Sequence, residues 1–525
     1  MVFRERENVV RLAGQRKKGL LRLVFSRFFL ILILLLLEVV IIVGFYGWLA
    51  QKYPFLTSLQ WLGTLVMVIY LFNTEMDSTA KLTWMFLIAV APLPAAALLA
   101  FTRSDLGQRR VRAMVEKEIG ATRLSLNQPE GVLEELEHDG SGTDDLCRYL
   151  NRSGCFPIWK RTAVTYFPSG EKKFSALLYA LEQAERFIFL EYFIISEGYM
   201  WGRILDVLIR KASAGVDVRV LYDGMCEIST LPTDYWRLLE EKGIRARPFS
   251  PLLPLLSSHY NYRDHRKIAV IDGKVAFNGG VNLADEYIDR IERFGYWKDA
   301  AVMLRGDAVK SFTLLFLQMW NAGREDAEYA PWLETVCPVP EDASGFVMPY
   351  ADCPLDGEKV GESVYMDILN RATDYVHIMT PYLILDGELE TALKFAAHRG
   401  VDVKLILPGI PDKRMAYALA KSHYRSLTDA GVQIFEYTPG FVHAKVFVSD
   451  GTKAVVGTIN LDYRSLYHHF ECATYLYRAA CIGDIEADFQ KTLAQSAPVT
   501  PETMRRERFS YRLSGALLKF LAPLM

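Results

Sequence analysis

One run of residues occurs twice in this chain, in register. His265-Arg-Lys-Ile-Ala-Val-Ile-Asp-Gly-Lys-Val-Ala-Phe-Asn-Gly-Gly-Val-Asn is matched by His443-Ala-Lys-Val-Phe-Val-Ser-Asp-Gly-Thr-Lys-Ala-Val-Val-Gly-Thr-Ile-Asn. From 265 to 443, 267 to 445, 272 to 450, 279 to 457 and 282 to 460 the step is 178 residues every time, and the shared residues are His, Lys, Asp, Gly and Asn. Strands selected for burial alone repeat an apolar pattern, not their polar residues. A repeat this long is a duplicated domain rather than a solenoid unit.

The spacing within each copy has a geometric reading. Residues two apart on a strand share a face, so His265 and Lys267 point the same way. Residues 268–271 form a buried stretch, Asp272-Gly273 turns the chain, and residues 275–277 return toward Gly279-Gly280, carrying Asn282 back to the histidine and lysine. Each copy offers an imidazole, an ammonium and a carboxamide. Two copies face to face offer two of each.

That set suits a phosphodiester. Lys267, Lys445, Asn282 and Asn460 supply donors to non-bridging oxygens as charge builds there. One neutral histidine attacks phosphorus. The other, protonated, gives its proton to the leaving alkoxide, and the roles then reverse for a second alcohol. The motif residues expected to carry the chemistry are His265, Lys267 and Asp272 with His443, Lys445 and Asp450. The reaction calls for no metal and no other cofactor.

The flanking sequence has α/β character. Helical stretches at 175–186 and 205–214 precede β-rich runs at 187–195 and 216–222. The order recurs at 364–372, 376–384, 389–398 and 401–407, where Gly400-Val-Asp-Val-Lys nearly copies Gly215-Val-Asp-Val-Arg. The alternation predicts two α/β domains with mixed, largely parallel sheets, at 155–334 and 358–500. The Pro-, Asp- and Gly-rich residues 335–357 read as the linker between them.

Hydrophobic residues make up 51% of the chain, and the excess sits near its start. A basic segment, 1–27, precedes an apolar region at 28–102 with candidate membrane spans at 28–50, 54–72 and 82–101. Glu38 lies in the first and Gln60 in the second, while Tyr46, Trp48, Tyr53, Trp61 and Trp84 lie near the ends, where interfacial anchors belong. The first run is too long and starts too late for a signal peptide. Arginines flank both sides of the region, so the positive-inside rule places both flanks in the cytoplasm, whereas three full spans would separate them. One segment is therefore re-entrant or flat, or the rule fails here. Residues 103–154 are a connector. In the tail, 501–525, Leu513, Ala516, Leu517, Phe520, Leu521 and Leu524 recur at helical spacing near several arginines, which fits either an interfacial helix or one docked on the domain. The apolar run 251–256 is a second candidate for dipping into lipid.

A formal net charge of −2 argues against a nucleic-acid partner. The seven cysteines form no C-x-x-C or zinc-spaced cluster and read as reduced core thiols. Glu191 and Tyr192 either approach the site or serve the structure; His468 and His469 read as ordinary strand-edge residues.

The doubled H-x-K-x4-D pattern, each copy followed by G-G/T-x-N, resembles the phospholipase D superfamily. Asn261-Tyr-Arg-Asp-His-Arg-Lys, Gly280-Val-Asn-Leu-Ala-Asp-Glu-Tyr and Gly457-Thr-Ile-Asn-Leu-Asp-Tyr-Arg-Ser, with the N-terminal apolar region, are similar to its bacterial cardiolipin synthases. The resemblance covers nearly the whole chain. It implies two phospholipase D-like domains packed as a pseudo-dimer behind an α-helical membrane region. It also implies that two phosphatidylglycerols react to give cardiolipin and glycerol through a phosphatidyl-histidine, with another acceptor alcohol, or water, as the alternative. Phosphatidylglycerol and membrane lipids are then the partners, at a multi-pass position in the bacterial cell membrane with the catalytic domains on the cytoplasmic face. A downstream carboxylate orients each histidine: Glu471 in the second half, Asp299 in the first. Asp272 and Asp450 hold the motif's turn. The family pattern has two membrane helices where this sequence offers three stretches.

Overall fold

The structure is a computed structural model that describes residues 2–4, 9–12, 54–90, 92, 95–96, 99–100, 109–154, 156–250, 262–507 and 509–522. The candidate span 28–50 and the apolar run 251–256 lie outside the described residues.

The repeated motif folds as a hairpin in each half. Strand β6 (Lys267–Ile271) runs into Asp272-Gly273 and returns as β7 (Val275–Gly279). Both of these residues are left-handed, with φ of 55° and 65°; Asp450 and Gly451 match them at 52° and 63°. Ile271 pairs with Val275 and Ser449 with Lys453, so each turn holds three residues; the first two take consecutive positive φ values, which Asp and Gly tolerate.

The first half builds a seven-stranded sheet in the order β1 (Thr162–Phe167), β9 (Ala301–Gly306), β7, β6, β2 (Phe187–Tyr192), β3 (Asp217–Asp223) and β4 (Arg245–Phe249). The second repeats it: β10 (Phe346–Asp352), β17 (His469–Tyr477), β16 (Lys453–Gly457), β15 (Val446–Ser449), β11 (Tyr375–Met379), β12 (Asp402–Pro408), β13 (Gln433–Tyr437), then β18 (Ser496–Pro498). The sheets are mixed, but they are not largely parallel. Only β2–β3–β4 and β11–β12–β13 pair in parallel; the other pairings along both sheets are antiparallel. The cause is the motif hairpin. It occupies the middle of each sheet, and so short a turn joins only antiparallel strands.

Two short parallel ladders stitch the halves together. β5 (Arg263–Asp264) pairs with the start of β17, and β8 (Tyr296–Lys298) pairs with β14 (Gly440–Val442). Helix Val309–Asn321, buried at nearly every position, packs against strands of both sheets. Its buried polar residues are satisfied locally, as where Gln318 donates to the Thr122 hydroxyl at 2.7 Å.

Where described, the connector 103–154 holds three helices, Arg109–Ala121, Val132–Asp139 and Thr143–Gly154, joined by turns; Leu136, Cys147 and Leu150 are buried. Helices Pro54–Phe72 and Ser78–Val90 cover the second candidate span and part of the third. Among the described residues, no helix is long and apolar enough to cross a membrane. The tail forms helix Phe509–Leu521, docked on Arg414–Thr428 and touching Ser78–Val90 through an edge-to-face Phe86–Phe520 contact at 4.9 Å. The docked reading of the tail is thus the observed one, while Phe509, Leu513 and Leu517 stay exposed. The six described cysteines are free and buried.

Candidate active site

The inter-half ladders decide which carboxylate meets which histidine. His265 immediately follows β5, and its backbone N–H donates to the carbonyl of Phe470 at 2.9 Å. Glu471 is the next residue along β17. Its carboxylate lies 2.8 and 2.9 Å from Nδ1 of His265. His443 follows β14 and donates its N–H to Lys298 at 2.7 Å; Asp299 comes next and reaches Nδ1 of His443 at 2.8 Å. Sequence reasoning assigned each carboxylate to the histidine of its own half. The pairing is crossed instead, because parallel strands from opposite halves run side by side at the site.

An ionised carboxylate only accepts, so each Nδ1 carries the proton and each Nε2 keeps its lone pair. Burial, then Lys267 and Lys445, push His265 well below the usual imidazole range, and burial with Lys445 pushes His443 down to about 4. Burial alone would raise the Asp299 carboxyl, but His443 and Lys445 overcome it and hold it below its usual value. Burial also lowers Lys267 to about 8 and Lys445 to about 7. Lys267 Nζ donates to the carbonyl of His265 at 2.5 Å; Lys445 Nζ lies 2.9 and 3.0 Å from the two ring nitrogens of His443. Two imidazoles and two buried lysines thus lie close enough to act on one another's charge.

Asn282 is also buried here. Its Oδ1 accepts from the N–H of Ile194 at 3.0 Å and its Nδ2 donates to the Tyr287 hydroxyl at 2.7 Å, leaving the second amide hydrogen for other use. Oδ1 of Asn460 has no hydrogen-bond partner among the described residues. Asp272 and Asp450 stand elsewhere. Seven residues of extended chain separate Asp272 from His265, about 23 Å. Asp272 accepts the N–H groups of Glu185, Arg186 and Phe187; Asp450 accepts those of Thr373, Asp374 and Tyr375. They pin the far end of the hairpin and touch no reacting group, so they do not belong with the catalytic residues.

Glu191 points away from the site too. Arg266, between His265 and Lys267, faces the other side of the strand and meets Glu191 at 2.7 Å in the interior. Of the two readings open for Glu191, the structural one is observed; Tyr192 stands opposite Lys267 in the β2–β6 ladder, on the face that Lys267 uses, and its hydroxyl accepts from buried Lys173 at 2.9 Å.

Sequence reasoning missed four neighbours. Thr458 donates its hydroxyl to Oε2 of Glu471. Trp297 packs on His443 with ring centroids 5.3 Å apart, Phe193 on His265 at 4.9 Å, and His469 on His265 at 5.3 Å. His469 is buried rather than at a strand edge. Trp297 and His469 each stand two residues before an orienting carboxylate, and that shared offset is the sequence signal for them.

A duplicated α/β fold closed around two histidines, each braced by the other half's carboxylate, defines the class: a two-domain protein of phospholipase D type. The sequence family described as "Cardiolipin synthase, PLD-like domain" matches residues 177–320 and 365–493. Cardiolipin synthase 2 of Bacillus cereus is 33% identical over 461 residues, 87% of this chain and 89% of that protein. Cardiolipin synthase of Geobacillus sp. strain WCH70 is 33% identical over 489 residues, 90% of this chain and 96% of the other. An uncharacterised protein of Streptococcus mutans serotype c is 56% identical over 463 residues, 87% of this chain and 99% of its own. The crystal structure of a phosphatidylserine synthase of Haemophilus influenzae superposes on 73% of this chain and 97% of its own, with TM-score 0.55 at 14% identity, a likeness of fold. The chain belongs to the cardiolipin synthase family of phospholipase D-like proteins, and it is a phosphatidyltransferase.

Proposed function

We propose that this enzyme makes cardiolipin from two phosphatidylglycerols and releases glycerol, through a phosphatidyl-histidine. The observation that carries the reading is the pair of buried imidazoles, each fixed through Nδ1 by a carboxylate of the other half and each with a lysine beside it. Nε2 of His265 attacks phosphorus, forming P–N as the P–O bond to glycerol breaks. Protonated His443 gives its proton to the departing oxygen. His443, now neutral, removes a proton from a hydroxyl of the second phosphatidylglycerol, whose oxygen takes phosphorus back from His265. Lys267 and Lys445, with Asn282 and Asn460, hold the non-bridging oxygens.

The surroundings support this division. His443 has the rings of Trp297, Tyr287 and Phe441 within 5.3–5.9 Å, and aromatic faces favour a cation. A bound phosphodiester anion lifts the low proton affinity that the empty site imposes on it. The apolar residues 28–102 hold the enzyme at the cytoplasmic face of the cell membrane, where both lipid substrates are concentrated.

The test is a product assay in liposomes with phosphatidylglycerol as the only phospholipid, comparing wild type with His265→Ala and His443→Ala. Cardiolipin and glycerol from wild type, lost in both variants, is the expected result. Phosphatidic acid as main product would make the enzyme a hydrolase. No product from folded wild type would mean a different donor or acceptor.

A further inference from the structure

His469 breaks the pseudo-twofold symmetry of the site. It stands two residues before Glu471 as Trp297 stands two before Asp299. Each ring lies against the other half's histidine at 5.3 Å between centroids, tilted by 40° for His469 and 43° for Trp297. One half puts an indole there and the other an imidazole. Trp297 brings no lone pair for a ligand. His469 brings one, on a buried Nδ1 that has no hydrogen-bond partner among the described residues.

That atom is aimed at a donor set. Nδ1 of His469 lies 3.7 Å from Oε1 of Glu471, and the same oxygen lies 2.8 Å from Nδ1 of His265. One ligand atom from each residue lies within 4.8 Å of the others. Four-coordinate zinc holds nitrogen and oxygen donors at about 2.0–2.2 Å, which sets neighbouring donors roughly 3.3–3.5 Å apart. Two of the three donor separations, 2.8 and 3.7 Å, straddle that range, so side-chain shifts within the 4.8 Å cluster bring the donors together. The His443 side has one imidazole and one carboxylate, and the Lys445 Nζ lies 2.9 Å from Nδ1 of His443, where a metal would sit; at His265 the Lys267 Nζ is turned to the backbone carbonyl instead.

We propose that His265, His469 and Glu471 form an inhibitory site for a transition-metal dication of imidazole and carboxylate preference, zinc foremost. Inhibition follows from counting protons. Neutral His265 carries one proton; in the active form it sits on Nδ1, donated to Glu471, and Nε2 keeps the lone pair that attacks phosphorus. With zinc on Nδ1 the proton moves to Nε2, and that lone pair is gone. No proton leaves the ring and nothing is oxidised or reduced. Binding stands on geometry alone, whereas inhibition also rests on the role proposed for His265.

The full-length protein, stripped of metal with a chelator, is titrated with zinc by calorimetry beside His469→Phe, which keeps a ring and removes both donors. Wild type is expected to bind one zinc per chain more than the variant. Its transfer rate should fall at least tenfold with the same midpoint, recovering on chelation. In the variant the midpoint for inhibition should move at least tenfold higher. Equal zinc binding by the two proteins overturns the proposal. Zinc bound at this site without loss of transfer overturns the inhibition, and with it the role given to His265. X-ray absorption of the zinc-loaded wild type needs no variant: two imidazoles in the shell support the site, and an all-oxygen shell overturns it.

Discussion

Glu471, in the second half of the chain, holds Nδ1 of His265, in the first half, at 2.8 Å. Asp299 returns the arrangement to His443 at 2.8 Å. Neither half braces its own motif histidine, so the duplication yields one site and not two. Replacing either carboxylate removes the group that fixes tautomer and ring orientation, a loss of about 10²–10⁴-fold in kcat. Nitrogen NMR of histidine-labelled protein separates the pairs. Glu471→Gln is expected to shift the His265 ring signals and Asp299→Asn those of His443. The opposite pattern would refute the crossed pairing.

A site assembled within one chain cannot be repaired by mixing chains. His265→Ala and His443→Ala proteins, each inactive, are expected to stay inactive when co-reconstituted in one liposome. Recovery of a sizeable fraction of wild-type rate would show that halves exchange between chains.

Asp272 and Asp450 act on stability rather than on chemistry. Each carboxylate accepts three backbone N–H groups. Removing the Asp272 carboxylate leaves three N–H groups unpaired, that of Phe187 buried and those of Glu185 and Arg186 part-buried, at about 1–3 kcal/mol. Asp272→Ala is therefore expected to lower the melting temperature by several degrees, while kcat of the folded fraction stays within a few-fold of wild type. A full loss of kcat at unchanged melting temperature would return Asp272 to the catalytic set.

The pH dependence has a definite sign. Lys445 loses its proton near 7 and Lys267 near 8 in the empty site, so kcat/KM should fall as pH rises through that range. A bound phosphodiester favours the charged lysines, so kcat should hold to higher pH. On the acid side, His443 keeps a pKa of about 4 when folded against the usual 6.5. Between those values the unfolded chain binds protons that the folded chain does not, so stability falls as pH drops from 6.5 toward 4. A kcat/KM that is flat from pH 7 to 9 would contradict the lysine assignment, and a melting temperature that rises on acidification would contradict the histidine one.

Much of this was legible because it is local. The two-residue spacing of His265 and Lys267, the Asp-Gly turns and the constant step between copies predict the hairpins and the doubled site. What was not legible depends on pairings between halves. Sequence offset puts Asp299 closer to His265 and Glu471 closer to His443; only the ladders of β5 with β17 and β8 with β14 reverse this. His469 looked like a strand-edge residue because no local pattern shows that its neighbour across the ladder is the segment entering His265. The sheet direction was misjudged for a related reason: each helix-to-strand alternation suggests a parallel crossover, and the antiparallel hairpin in mid-sheet outweighs it.

Gly280 tests how closely the brace is fitted. It is the counterpart of Thr458, 178 residues on. In the second half the Thr458 hydroxyl donates to Glu471; in the first, a Cβ on Gly280 would lie 2.0 Å from Oδ1 of Asp299. Asp299 also takes the N–H of Ala300 on that oxygen at 2.8 Å, so it cannot retreat without giving up a buried hydrogen bond. Adding one methyl, with no change in charge or polarity, should therefore displace Asp299 and loosen His443. Gly280→Ala is expected to lower kcat about as far as Asp299→Asn does, with KM little changed, because the lost interaction matters most when His443 carries a proton. Wild-type kcat in Gly280→Ala would mean that Asp299 has room the structure does not show, and that His443 does not depend on its position.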